Sequence, residues 1–161
     1  IFLFLDNMHL VSVPQYEEGR MKYKFLSHEA KALCVRYNAT IVSTIEYRKL
    51  PFGMKPSNSD LAESNSFEYD SNAIVHMYSD LHSKRDDSNL FHWSTDYVTK
   101  QPVIEAYFGK NKVSSFKGNL WMKSWPDKAY FMEMTEQAMR DLVMANEQSR
   151  QAYASDDGNE E

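Results

Sequence analysis

The chain opens on Ile1-Phe2-Leu3-Phe4-Leu5, a continuous apolar run closed by Asp6. A run without alternation predicts a strand covered on both faces, as at the centre of a parallel sheet. From Tyr16 to Tyr37, Leu26, Ala30, Leu33 and Tyr37 recur at helical spacing, while Glu17, Glu18, Lys22, Lys31 and Arg36 are free to face water. That pattern predicts one long crossover helix. Ala39 to Ile45 is again short, apolar and β-branched, so strand, helix and strand read as a right-handed βαβ unit.

Tyr47 to Asn58 holds Pro51, Gly53 and Pro56 with little periodicity, which predicts a loop at the carboxyl edge of that sheet. Ser59 is placed to cap a short helical turn from Asp60, and Ala73 to Tyr78 supplies another strand. Lys84 to Asn89 reads as a turn. Val103 to Phe108 and Asn119 to Trp125 read as a terminal antiparallel hairpin, with Tyr130 to Met132 as one more strand. Thr135 then caps a last helix to about Tyr153, with Met139, Leu142 and Val143 on its apolar stripe and an acidic tail behind it. The order of elements is that of an α/β protein.

Composition narrows the class. With 161 residues, 42% of them hydrophobic and 25% charged, the chain reads as one soluble globular domain with a single core. A domain of this size buries roughly 70% of the surface its unfolded chain exposes, so neither disulfides nor a metal is required. The lone Cys34 excludes an internal disulfide framework and reads as a small hydrophobe. Eighteen Lys and Arg against 23 Asp and Glu argue against a generally basic nucleic-acid binder, and leave room for a local basic lining. The opening apolar run is far shorter than the roughly 20 residues of a membrane-crossing helix, so no membrane role and a cytoplasmic location are expected. A strand-like run at residue 1 with no Met before it implies that further chain precedes it.

An apolar strand ending in Asp6 suits a nucleotide hydrolase, because the strand fixes a carboxylate that orients Mg²⁺ and its waters at the sheet edge. The same carboxylate also suits capping the following turn. The five histidines, His9, His28, His76, His82 and His92, form no His-x-x-x-His pair or Cys/His ligand cluster. His76 on its apolar strand reads as a core side chain, and His9 as packing after the first strand.

Three stretches agree with the hydrolase reading. They are Ile41-Val42-Ser43-Thr44-Ile45-Glu46-Tyr47-Arg48-Lys49, Lys55-Pro56-Ser57-Asn58-Ser59-Asp60-Leu61-Ala62-Glu63-Ser64, and Phe67-Glu68-Tyr69-Asp70-Ser71-Asn72-Ala73. In order and spacing, residues 1 to about 132 resemble the RecA-like motor domain of DnaB-type replicative helicases. Ser-Asp-Leu-x-Glu-Ser is the most specific piece, and Lys110-Asn111-Lys112 matches the family's later Lys-x-Arg. The resemblance implies a mostly parallel central sheet with flanking helices and an antiparallel C-terminal edge. Residues 1–134 would belong to the motor, and 135–161 would be a terminal helix and acidic tail. It further implies a hexameric ring of bacterial or phage-infected cytoplasm that binds ATP and Mg²⁺, moves along single-stranded DNA, and meets a primase or helicase loader.

Carried over by position, Asp6 would hold the magnesium shell and Glu46 would stand where the family has a Gln that senses the γ-phosphate. Lys49 would lie beside the nucleotide. Lys110 and Lys112, two apart on a strand end, would reach a neighbouring subunit's γ-phosphate. Ala62, Glu63 and Asn65 would line the DNA channel, with Lys55 and Arg48 as further phosphate contacts. The plainer readings are a pair of solvated lysines on a strand edge, and a helix cap at Ser59-Asp60. No Gly-x-x-x-x-Gly-Lys-Ser/Thr loop occurs, so this stretch alone is expected to be inactive. Two rivals stand beside the helicase: a recombinase-type RecA-like ATPase, and a non-catalytic helicase-like interaction module.

Overall fold

The computed structural model describes residues 1–17, 19–61 and 65–156, with side chains as far as residue 152. The first two strands, β1 (Phe2–Leu5) and β2 (Thr40–Ser43), pair in parallel with Phe2 opposite Thr40 and Leu5 opposite Ser43. The helix between them, α1 (Arg20–Tyr37), is long enough for the crossover that a parallel pair needs. It starts later than the periodicity predicts. Val13 to Tyr16 closes a turn with Tyr16 N–H donating to Val13 O, and Gly19 at φ +94° sets the helix start. Asn38 in the left-handed conformation ends it.

The remaining strands are β3 (Ala73–Ser79), β4 (Phe91–Trp93), β5 (Lys100–Asn111), β6 (Asn119–Trp125) and β7 (Tyr130–Met134). They form the main sheet in the order β3-β5-β6-β7, with β4 also on β5, and the β4/β5, β5/β6 and β6/β7 pairings are antiparallel. This corrects the expectation of a RecA-like, mostly parallel central sheet: the parallel part is two strands, and the antiparallel part is the body of the protein rather than its edge. The reason lies in the connections. The link from β5 to β6 is residues 112–118, and β6 turns into β7 through Pro126–Lys128 and a left-handed Ala129. Links that short return a chain antiparallel, whereas a parallel return needs a crossover of a dozen residues or more.

A second correction concerns β1. Phe2 and Phe4 are 60% and 71% exposed, so the continuous apolar run is not a strand covered on both faces. The other helices are α2 (Ser66–Asp70), α3 (Asp80–Lys84) and α4 (Glu136–Asp156). Thr135 caps α4 as its sequence predicts, with Oγ1 accepting from Ala138 N–H at 3.1 Å.

The chain divides into two compact units in place of one core. One holds Ile1–Leu50, Pro56–Val75 and Gly109–Phe116; the other holds Pro51–Lys55, His76–Phe108 and Lys117–Glu161. The first is built around Met8, Val13, Tyr23, Leu26 and Phe67, with Leu5, Ala30, Ile45 and Leu61 packed on them. Leu33 and Tyr37, expected on the same apolar face of α1, are exposed, and Lys22 is buried. The second unit buries Tyr78, Leu90, Phe91, Val103 and Ala106. No helix among the described residues is long and apolar enough to cross a membrane.

Candidate functional site

Because β1 and β2 run parallel, their carboxyl ends meet at one rim, and the residues leaving them meet there too. Thr44 N–H donates to Leu5 O and Met8 N–H to Thr44 O, both at 3.1 Å, so the two exits are stitched together. On that frame Thr44 Oγ1–H donates to Asp6 Oδ1 at 2.6 Å, a short bond to an ionised acceptor. Asp6 Oδ2 has no hydrogen-bond partner among the described residues. Beside it Asn7 Nδ2 donates to Glu46 Oε1 at 3.0 Å, while Asn7 Oδ1 accepts from His9 N–H at 2.8 Å. The rim therefore gathers two carboxylates, an amide, a hydroxyl and an imidazole.

His9 is the least expected member. Its ring lies 4.8 Å from Tyr23 and 6.4 Å from Phe67, centroid to centroid, and its carbonyl accepts from the buried Lys22 at 3.1 Å. Nδ1 faces Glu46 N–H at 3.5 Å, and Nε2 is buried with no hydrogen-bond partner among the described residues. The packing role expected of His9 holds, but it also props the loop that carries Glu46.

Could this rim hold Mg²⁺? Among the described residues no group of three His, Cys, Asp or Glu side chains converges as a metal cage. Magnesium does not need one, since it usually keeps several waters and binds one or two carboxylates together with phosphate oxygens. An exposed Asp6 with one oxygen tied to Thr44 and the other open fits that mode. ATP fits less completely, because the phosphate-cradling loop is not in this sequence.

The predicted cations go to several places. Arg48 is clamped to Asp60, with Nε and Nη2 at 3.0 and 2.6 Å from Oδ1 and backbone N–H on Asp60 O. The other Asp60 oxygen accepts from Ser57 Oγ at 2.6 Å and Ser57 N–H at 2.9 Å, so Ser57, not Ser59, makes the cap at this turn. The Ser57 hydroxyl, then the Arg48 guanidinium, hold the Asp60 carboxyl below its ordinary range. Lys55 sits in the other unit, 2.5 Å from the buried Glu105. Lys49 is exposed.

Lys110 Nζ donates to the carbonyls of Glu68 and Tyr69 at the end of α2, Tyr69 O at 3.1 Å. Burial, and next the neighbouring Lys112, pull its ammonium below the usual lysine range. Lys112 is anchored through its backbone N–H to Asn72 O at 2.8 Å, and its side chain is exposed. Asn65 precedes α2 in a right-handed conformation, so the left-handed backbone open to it is not used. Ala62 and Glu63 lie outside the described residues.

Sequence reasoning missed Asn7, Thr44 and His9 as rim members, and Glu105 as the partner of Lys55. Thr44 was hidden inside the stretch from Ala39 to Ile45 that reads as one strand; the end of β2 at Ser43 is what makes it follow the second strand as Asp6 follows the first. Comparison with protein-family models and with curated proteins gives no match to this chain.

Proposed function

We propose that this chain belongs to an ATP-driven protein that moves along single-stranded DNA, of the class that DnaB-type replicative helicases represent. The reading rests on the order of motifs and on the rim, not on a mostly parallel sheet. One observation carries it: Asp6, at the exit of the first parallel strand, is held by Thr44 at the exit of the second with an oxygen left for a hydrated cation. Bound there, Mg²⁺ would neutralise phosphate charge and polarise the transferred phosphoryl group.

The chain's own part follows from its residues. Thr44 fixes the rotamer of Asp6, so the carboxylate meets the cation's waters without paying to reorient. Glu46, steered by Asn7 and His9, faces the same rim and orients water beside the phosphates. Lys112 supplies positive charge toward a nucleotide held by an adjoining subunit, and Lys110 stiffens its strand end through the α2 carbonyls. Asn65 and the segment of Ala62 and Glu63 before it would meet the DNA backbone.

The test is DNA-stimulated ATP hydrolysis by the intact protein that carries this chain. Asp6→Asn is expected to lose activity at all practical Mg²⁺ concentrations, and Lys112→Ala to lose it when mixed into parent rings. Unchanged hydrolysis in both would remove the motor reading. A second reading, a helicase-like module that joins other subunits without hydrolysing ATP, is favoured by the lack of a phosphate loop in the sequence. It predicts nucleotide-independent association and no turnover.

A further inference from the structure

Helix α1 has a charge opposite to that of the chain it belongs to. Arg20, Lys22, Lys24, Lys31 and Arg36 stand on it with His28 against a single acid, Glu29, in a protein of formal charge −5. Lys22 is used internally, on His9 O. Arg20, Lys24, His28 and Arg36 are exposed, and Lys31 is half-buried with Nζ on Asn72 Oδ1 at 2.9 Å. A helix face that serves only water interleaves opposite charges at i,i+4, where each pair stabilises it; here Arg20/Lys24 and Lys24/His28 bring like charge together or none. The free chain carries that repulsion, which an anionic partner would relieve.

The same face is also apolar where a polyanion would have no use for it. Val35 on it is 76% exposed. His28, Lys31, Ala32, Val35, Arg36 and Asp70 line an open depression of about 500 Å³. Asp70 within it is already engaged, accepting from Ser27 Oγ at 2.7 Å and facing His28 Nε2 at 3.4 Å. The aliphatic lining of Ala32 and Val35 between cations suits an apolar side chain with acidic flanks, whereas a string of phosphates would use the cations alone.

We propose that the face of α1 from Lys24 to Arg36 docks an acidic polypeptide segment through an aliphatic anchor on Ala32 and Val35, with its carboxylates on Lys24, Lys31 and Arg36. The site is independent of the rim and of any nucleotide. Its partner is another protein, and the contact is strengthened by charge and given its register by the apolar anchor.

The experiment uses a fluorescent peptide of about 15 residues built from Glu and Leu, with Leu at i, i+3, i+4 and i+7, titrated with this chain and read by anisotropy. Controls are a polyglutamate of equal charge and an oligothymidylate of equal length. The Glu/Leu peptide is expected to bind at least about tenfold more tightly than polyglutamate, and more weakly as salt rises. Val35→Asp and Arg36→Glu, both at exposed positions, should each weaken it about tenfold while leaving the circular dichroism spectrum unchanged. Equal binding of polyglutamate, tighter binding of the oligothymidylate, or affinity indifferent to both substitutions would overturn the proposal. So would self-association of the chain that Arg36→Glu abolishes, because the occupant would then be a second copy.

Discussion

Lys55 places its ammonium 2.5 Å from Oε2 of Glu105, whose carboxylate is 4% exposed, while Lys55 itself remains 54% exposed. The other carboxylate oxygen accepts from Asn119 Nδ2 at 2.7 Å, and the ammonium also lies 5.6 Å from the Tyr78 ring centroid. The buried charge is thus satisfied from both sides, and removing one partner strands it. Lys55→Met should cost about 2 kcal/mol, less than a fully buried pair would because water reaches the lysine side. Adding Glu105→Gln should recover part of the loss. Urea unfolding of the single and double variants measures both, and a strictly additive pair would show that the two groups do not interact.

At the parallel rim, Thr44→Val keeps the shape of the side chain and removes the donor to Asp6 Oδ1. In the intact protein the expected outcome is a Mg²⁺ requirement for hydrolysis raised by about tenfold or more, as for other groups that orient a metal's ligand. A Mg²⁺ titration at saturating ATP reads it; an unchanged midpoint would show that Thr44 does not position Asp6 for the cation.

Asp60 gives a pH prediction with a definite sign. The Ser57 hydroxyl, followed by the Arg48 guanidinium, depresses its folded-state pKa below the ordinary 3.8. Its contribution is therefore complete above the unfolded value and fades as pH falls through the lower folded value. The stability difference between the parent and Asp60→Asn should be widest near neutrality and should shrink below about pH 4. Urea midpoints across that range test it, and a gap that widened on acidification would reverse the assignment.

Phe67 and Phe4 make a paired test of where the first unit keeps its core. Phe67 is buried against Tyr23 and His9, whereas Phe4 stands exposed. Phe67→Ala should cost about 3–5 kcal/mol, and Phe4→Ala well under that. Equal losses in thermal melts would mean that β1 is covered after all.

Much of the chain was legible one element at a time. The bounds of β6, the cap at Thr135 and the βαβ order of β1, α1 and β2 all follow from local pattern. What local pattern does not carry is which strands become neighbours. Asn119 to Trp125 and Tyr130 to Met134 read equally well in a parallel or an antiparallel sheet, and only the short returns after β5 and β6 decide their direction. The candidate site was legible for the same reason in part. Asp6 announces itself as a lone charge after an apolar run, but Arg48 and Lys55 look equally free in sequence. Their acidic partners, Asp60 and Glu105, lie 12 and 50 positions away and are found only in three dimensions.

The pairing of Phe2 with Thr40 through Leu5 with Ser43 makes the stretch after α1 a measuring stick. Ala39 alone separates the left-handed Asn38 from β2, so inserting or deleting one residue there would shift the second strand by a single step. A step turns each following side chain to the opposite face, and Thr44 would swing away from Asp6. A length change five residues before Thr44, touching none of the rim's own side chains, would then disarm the rim as surely as replacing the carboxylate.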